Sequence, residues 1–245
     1  MATSLAAIQP DLRQNQLLAA AEPADAVRLR SVLQPVRLAR GDVLAAAGEP
    51  QADIYFPTGC LVSVFVQVAD GRGAEVGLVG KEGFVGLPVL LETDPGPHAL
   101  VCQVSGLALR MSAHSFRALT RRATRFRRLL LRYAGVRLIE EAQLIACLAL
   151  HTMTPRLARW LLMAHDRVGA DDVHLTQEFL ARMLAVGRPY LNGAMQGLQR
   201  DGHIAYRRGR IAVLNRAGLE AAACEDYRRL RGAYERLFDT SVVAS

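Results

Sequence analysis

The stretch Leu175-Thr-Gln-Glu-Phe-Leu-Ala-Arg-Met-Leu-Ala-Val-Gly-Arg-Pro-Tyr-Leu-Asn-Gly-Ala-Met-Gln-Gly-Leu198 reads as two short helical patterns around a tight break, and the basic hairpin Tyr206-Arg-Arg-Gly-Arg210 follows it. In the first pattern Thr176 is placed to cap, Glu178 sits in the first turn, and Phe179, Leu180, Met183 and Leu184 form the apolar stripe. Ala181 is the small residue that lets a second helix cross closely. Gly187 serves as the next N-cap and Arg188-Pro189 opens the second helix. Leu191, Ala194, Met195 and Leu198 then point inward, which turns Arg188, Tyr190, Asn192, Gln196 and Gln199 outward or toward the flanks. A helix of this kind fits a DNA major groove, where Arg bonds guanine bidentately and Asn or Gln bonds adenine. Arg188, at the entering end, is the first candidate for a base contact, while Thr176 and Gln177 are better placed for phosphate. Ile204 to Arg207 and Arg210 to Leu214 form a two-stranded wing whose tip is Arg208-Gly209, and Arg207, Arg208 and Arg210 are expected to meet the phosphate backbone. The alternative is an ordinary helical hairpin with a wet polar face; the wing and its three arginines favour a winged helix-turn-helix.

Upstream, from about Val32 to Met111, short β-rich segments alternate with turn residues: Val32 to Leu38, Arg40-Gly-Asp42, Gly48-Glu-Pro50, Ile54 to Pro57 and Leu61 to Val68. Asp70-Gly71 is a hairpin signal between that last strand and Ala74 to Val79. Gly80-Lys-Glu-Gly-Phe-Val-Gly86 and Thr93-Asp-Pro-Gly-Pro97 interrupt the pattern before Ala99 to Val104 resumes it. Strands at this spacing predict an antiparallel barrel or sandwich.

After Ser112, a plausible N-cap, Gly and Pro nearly vanish up to Pro155 and the period turns helical. Leu131, Gly135, Leu138, Ala142, Ile145 and Ala149 alternate steps of four and three, the spacing of a coiled-coil seam, and Leu130, Ala134, Leu144 and Leu148 lie beside it. A helix apolar over two adjoining faces packs against two things at once, here its own barrel and the same helix of a second copy. A homodimer is therefore expected; a long core helix within a monomer is the alternative. Thr154-Pro155 predicts the start of another helix, Gly169 its end, and a last helix from Asn215 carries Leu219, Ala223, Tyr227, Leu230, Tyr234 and Leu237 in register. The expected division is an N-terminal extension over 1–24, a sensor barrel over 25–115, a dimerisation helix over 116–152 and a winged reader with a C-terminal helix over 153–245, an α+β chain.

With 245 residues, 51% of them hydrophobic, the chain can build two cored domains. Its net charge of +7 suits a polyanionic partner, and Lys81 is its single lysine among 30 cationic side chains. Cys60, Cys102, Cys147 and Cys224 form no C-x-x-C pair, so neither zinc knuckle nor disulfide framework is suggested, and they read as reduced thiols of a cytoplasmic protein. The start lacks a signal-peptide pattern and no apolar stretch is long enough to span a membrane. The six histidines show no H-x-H or H-x-x-x-H spacing, which weighs against a cupin-like metalloenzyme; no metal site and no catalytic residue is predicted.

The order of strand-rich barrel, long helix, short helix and winged reader resembles the Crp/Fnr superfamily of bacterial transcription factors. Gly48-Glu-Pro50 with Ile54-Tyr-Phe-Pro57, Val79-Gly-Lys-Glu-Gly-Phe-Val-Gly-Leu-Pro88, Arg156-Leu-Ala-Arg-Trp-Leu-Leu162 and the reader itself carry that resemblance. It implies a cyclic-nucleotide-binding-like, jelly-roll barrel that senses a small signal, a long helix that dimerises, and a reader that binds palindromic double-stranded DNA. Arg188 falls where the family usually has a base-reading arginine, whereas Pro189, Tyr190 and Gly193 depart from its usual polar residues, so another target sequence is implied. The resemblance places the ligand pocket at Gly83, Val85, Gly86, Leu87, His98 and Ala99. Cyclic-nucleotide binders of the family carry a Gly-Glu pair and a later Arg-Ser or Arg-Thr. Here Val85-Gly86-Leu87 and Pro97-His98-Ala99 stand instead, so no cofactor is predicted, cyclic AMP is not expected to bind in the family's usual manner, and a different small-molecule effector is implied. No Cys precedes Cys60, which argues against the family's N-terminal iron-sulfur set; redox sensing at Cys60 or Cys102 with a degenerate reader remains the alternative. An activator would also contact RNA polymerase, for which no residue pattern stands out.

Overall fold

Helix α1 (Gln16–Ala19) follows a short 3-10 turn at Leu12–Gln14 and is set by Asn15, whose side chain caps it and also donates to the carbonyls of Pro57 (2.9 Å) and Gly83 (2.8 Å). A computed structural model of the chain describes residues 10–67, 73–122, 124–169 and 172–239, and within it the N-terminal segment is built into the core: Leu12, Leu17 and Leu18 are buried. Helix α2 (Pro23–Val32), with Pro at its first position, leads into the strands.

Seven antiparallel strands form two sheets. One has the order β1 (Gln34–Leu38), β7 (Gly106–Ser112), β3 (Asp53–Pro57); the other runs β2 (Val43–Ala45), β6 (Ala99–Val104), β4 (Leu61–Gln67), β5 (Gly73–Val79). The expected barrel is thus a jelly-roll-like pair of sheets, not a closed one, and the Asp70-Gly71 turn lies outside the described residues. Strand β3 shows why: Tyr55 packs between the sheets with Val62, Val79 and Cys102, while Ile54 and Phe56 on its other face join the helices. Buried on both sides, it reads as a continuous apolar run.

Helix α3 (Leu87–Leu90) sits in the loop between β5 and β6. The long helical region is two helices, α4 (Ala113–Arg122) and α5 (Thr124–Leu150), and the Ser112 hydroxyl accepts from Ser115 N at 3.1 Å as a cap does. The long helix, expected over 116–152, is α5, which begins at Thr124. Helix α6 (Met153–Val168) starts before Thr154, because Pro155 is tolerated in a first turn whose N–H groups need no intrahelical partner, and it ends at Gly169 with φ +70°. The reader comprises β8 (Asp172–His174), α7 (Gln177–Met183), α8 (Arg188–Arg200), β9 (Ile204–Arg207) and β10 (Arg210–Val213), with sheet order β8-β10-β9. The single C-terminal helix expected from Asn215 is two, α9 (Arg216–Ala222) and α10 (Asp226–Phe238).

Candidate nucleic-acid interface and effector cavity

The apolar side of the reader is fully committed. Leu180, Met183, Leu191, Ala194, Met195 and Leu198 are buried, and one core joins them to α6 and to Leu61 and Leu78 of the second sheet. Thr176 caps α7 by accepting from Phe179 N at 3.3 Å, and Ala185 turns the chain with φ +51° between the helices. Burying that stripe leaves Arg188, Tyr190, Gln196 and Gln199 of α8 exposed, Tyr190 at 55%, with Asn192 half-buried where Gln177 Nε2 donates to its Oδ1 at 3.4 Å. Arg207, Arg208 and Arg210 project from the wing, whose two-residue turn Arg208-Gly209 has both φ angles positive, the type I′ geometry that glycine favours. Glu178, which the sequence reading left as a first-turn acid, forms an ion pair with Arg188 at 2.7 Å. Strand β8 was also missed, since three residues after Gly169 carry no periodic signal.

The jelly roll encloses a cavity of about 500 Å³, within the range of small-molecule sites. Val85, Gly86, Leu87 and His98 line it, but Gly83 and Ala99 do not. Gly83 is spent on packing instead: a Cβ there would collide with the Tyr133 hydroxyl of α5. Ala99 is taken up in β6, opposite Phe65. The missed part of the wall is the long helix, for Leu131, Gly135 and Leu138 of the predicted seam line the cavity too. Two of its charged groups are already paired, while Glu49 and Glu141 also line the wall. Asp94 accepts from Gln51 N (2.9 Å) and from Arg117 (3.2 Å), and Arg137 donates to Glu140 and to the Leu78 carbonyl, both at 2.7 Å. Leu87 offers a ribose no acceptor.

Polar contacts tie the domains together behind this cavity. Arg167 of α6 bonds Glu82 (2.7 Å) and Glu140 of α5 (2.9 Å), and Tyr234 of α10 donates to Glu140 at 2.8 Å. Trp160 Nε1 of α6 donates to Glu75 of β5 at 2.7 Å, and the Ser63 hydroxyl donates to the other carboxylate oxygen. Burial pushes the Glu75 carboxyl up to about 7, against the pull of those two donors. Arg40 stacks its guanidinium over Phe179 of α7, 5.0 Å from the ring centre. Desolvation raises Cys60 to about 12 and Cys102 to about 11, which leaves both as buried thiols and not as reactive thiolates.

A jelly roll joined by a long helix to a winged helix-turn-helix defines a DNA-binding transcription regulator. Residues 35–123 match the cyclic nucleotide-binding domain and residues 155–222 the Crp-like helix-turn-helix domain. The chain belongs to the Crp/Fnr family. It is 25% identical over 190 residues, 75% of its own length and 85% of the relative's, to a CRP-like cAMP-activated global transcriptional regulator of Mycobacterium tuberculosis. Its fold matches the c-di-GMP responsive global regulator CLP of Xanthomonas campestris (TM-score 0.63, 19% identity, 78% of this chain and 99% of the other). It also matches FixK2 of Bradyrhizobium japonicum (TM-score 0.65, 17% identity, 79% and 98%).

Proposed function

We propose that the chain acts in the cytoplasm as a homodimeric, DNA-binding transcription regulator that reads a palindromic site through α8 and performs no chemistry on a substrate. The observation that carries this reading is the surface of the reader: a buried apolar side, an outward row from Arg188 to Gln199, and three arginines on a wing. Dimerisation is supported by α5, where Leu138 is 68% and Ile145 69% exposed on the predicted seam beside exposed Gly135, Ala142 and Ala149. Among the described residues no helix is long and apolar enough to cross a membrane.

The cavity would serve as the control. Because Leu131, Gly135 and Leu138 belong both to its wall and to the seam, an effector there would bias how two long helices pack. The effector is of another class than the cyclic nucleotide of the mycobacterial relative. Leu87 replaces the acceptor, and Arg137, the cation in the wall, is neutralised by Glu140. A largely apolar molecule without an anionic group fits such a wall, to which Glu49 and Glu141 add negative charge. Selection from random duplexes should enrich an inverted repeat, and cyclic AMP should change affinity for it by less than about twofold, since uniform binding to both states shifts nothing. Failure to enrich any sequence, or a tenfold gain with cyclic AMP, would overturn the reading.

A further inference from the structure

The break between α9 and α10 has no local cause, since residues 223–225 contain neither Gly nor Pro. What it achieves is to seat Cys224 against Cys147 in the last turns of α5. The two sulfurs, 77 residues apart in sequence, lie 3.5 Å apart, and both cysteines are buried. Asp226 joins them: one of its carboxylate oxygens and the two sulfurs all lie within 4.8 Å of one another. Its Oδ2 is buried and has no hydrogen-bond partner, while Oδ1 faces Arg229 at 3.5 Å. His151 follows Cys147 by one helical turn, its N–H bonded to the Cys147 carbonyl; its Nε2 stands 3.5 Å from Asp226 Oδ2 but outside the group of atoms within 4.8 Å of one another, so its ring must swing inward to complete a fourth ligand.

We propose that Cys147, Cys224, Asp226 and His151 form a binding site for a tetrahedral divalent transition-metal ion, zinc by its ligand chemistry, that clasps the end of α5 to the reader's C-terminal turn. Two thiolates on one zinc, each bonded at about 2.3 Å, stand about 3.8 Å apart, close to the separation seen here and well beyond the roughly 2.05 Å of a disulfide. Two sulfurs, one imidazole and one carboxylate are the soft and borderline donors that select zinc over magnesium or calcium. Charge also fits. Two thiolates and a carboxylate would be offset by a dication and by Arg159, which is buried and acts on both thiols. The orphaned Asp226 oxygen gains the partner it lacks. Sequence spacing hides the site, because Cys147-x-x-x-His151 and Cys224-x-Asp226 come together only through the helix break.

The test uses the full chain, stripped with a chelator under reducing conditions and titrated with Co²⁺ and then Zn²⁺. A thiolate-to-cobalt charge-transfer band should saturate at about one ion per chain, as a closed four-ligand site requires, and Zn²⁺ should abolish it. Cys147→Ser and Cys224→Ser should each remove the band, and Cys60→Ser should keep it. His151→Ala, at the more accessible edge, should weaken Zn²⁺ binding at least about tenfold, since even outer-shell partners are worth that much; far-UV circular dichroism of this variant separates ligand loss from unfolding. No band in the stripped wild-type chain, or a band that survives in both Cys variants, would overturn the assignment. So would two thiols that react with a thiol reagent only after reduction, which would make the pair a disulfide.

Discussion

In the proposed reading, Arg188 would meet the groove only by giving up Glu178. The two side chains are mostly exposed, so their ion pair is worth well under about 1 kcal/mol, whereas a bidentate guanine contact discriminates by about 1–3 kcal/mol. Exchange of partners is therefore favourable on the right base. Arg188→Ala should weaken binding to the selected site about ten- to a hundredfold and leave non-specific affinity nearly unchanged. Arg208→Ala, at the wing tip, should weaken both alike and lower the salt slope by about one. Anisotropy titrations at several salt concentrations separate the two patterns. Glu75 makes a different prediction. Its folded value, about 7, lies above the ordinary 4.5, so between those limits the folded chain holds a proton the unfolded chain has released. Stability should fall as pH rises through that window. Glu75→Gln keeps the oxygen that accepts from Trp160 and cannot ionise, so its melting temperature should exceed the wild type at pH 8 and converge with it near pH 4, as a thermal-denaturation series would show.

Among the elements, α5 carries the most consequence. Its seam leaves Leu138 and Ile145 uncovered, and removing such apolar surface from water is worth about 25 cal/mol per Å². Leu138→Glu or Ile145→Glu should raise the dimer dissociation constant at least about thirtyfold, as loss of an interface hot spot does, measured by sedimentation equilibrium. The helical character of α5 was legible because its apolar steps of three and four are local, and so was α8, whose inward set follows from Leu191, Ala194, Met195 and Leu198 alone. The wing tip was legible for the same reason, Arg208-Gly209 being a turn dipeptide between two short strands. What could not be read depends on distant partners. Gly83, placed in the pocket by resemblance, serves the approach of Tyr133; the bonds of Asn15 to the carbonyls of Pro57 and Gly83 reach across 42 and 68 residues; and the C-terminal helix keeps its apolar period across a break that seats Cys224 against Cys147.

At the scale of the molecule, the jelly roll, the long helix and the reader domain meet at Arg167. Its guanidinium, buried between Glu82 of the jelly roll and Glu140 of the long helix, sits on the first helix of the reader domain, and Tyr234 closes the group from α10. Removing one partner of such a cluster strands the others in low dielectric, so Arg167→Met should cost about 3–5 kcal/mol in urea unfolding. Two chains joined along α5 would present two copies of α8, and half-sites about 10 base pairs apart would satisfy both at once. The most direct test is therefore spacing. A duplex carrying the selected inverted repeat should bind two chains, and inserting five base pairs between its halves, half a helical turn, should reduce affinity at least about a hundredfold by setting the second half-site on the opposite face. Binding by one chain per duplex, or affinity indifferent to that insertion, would contradict the account.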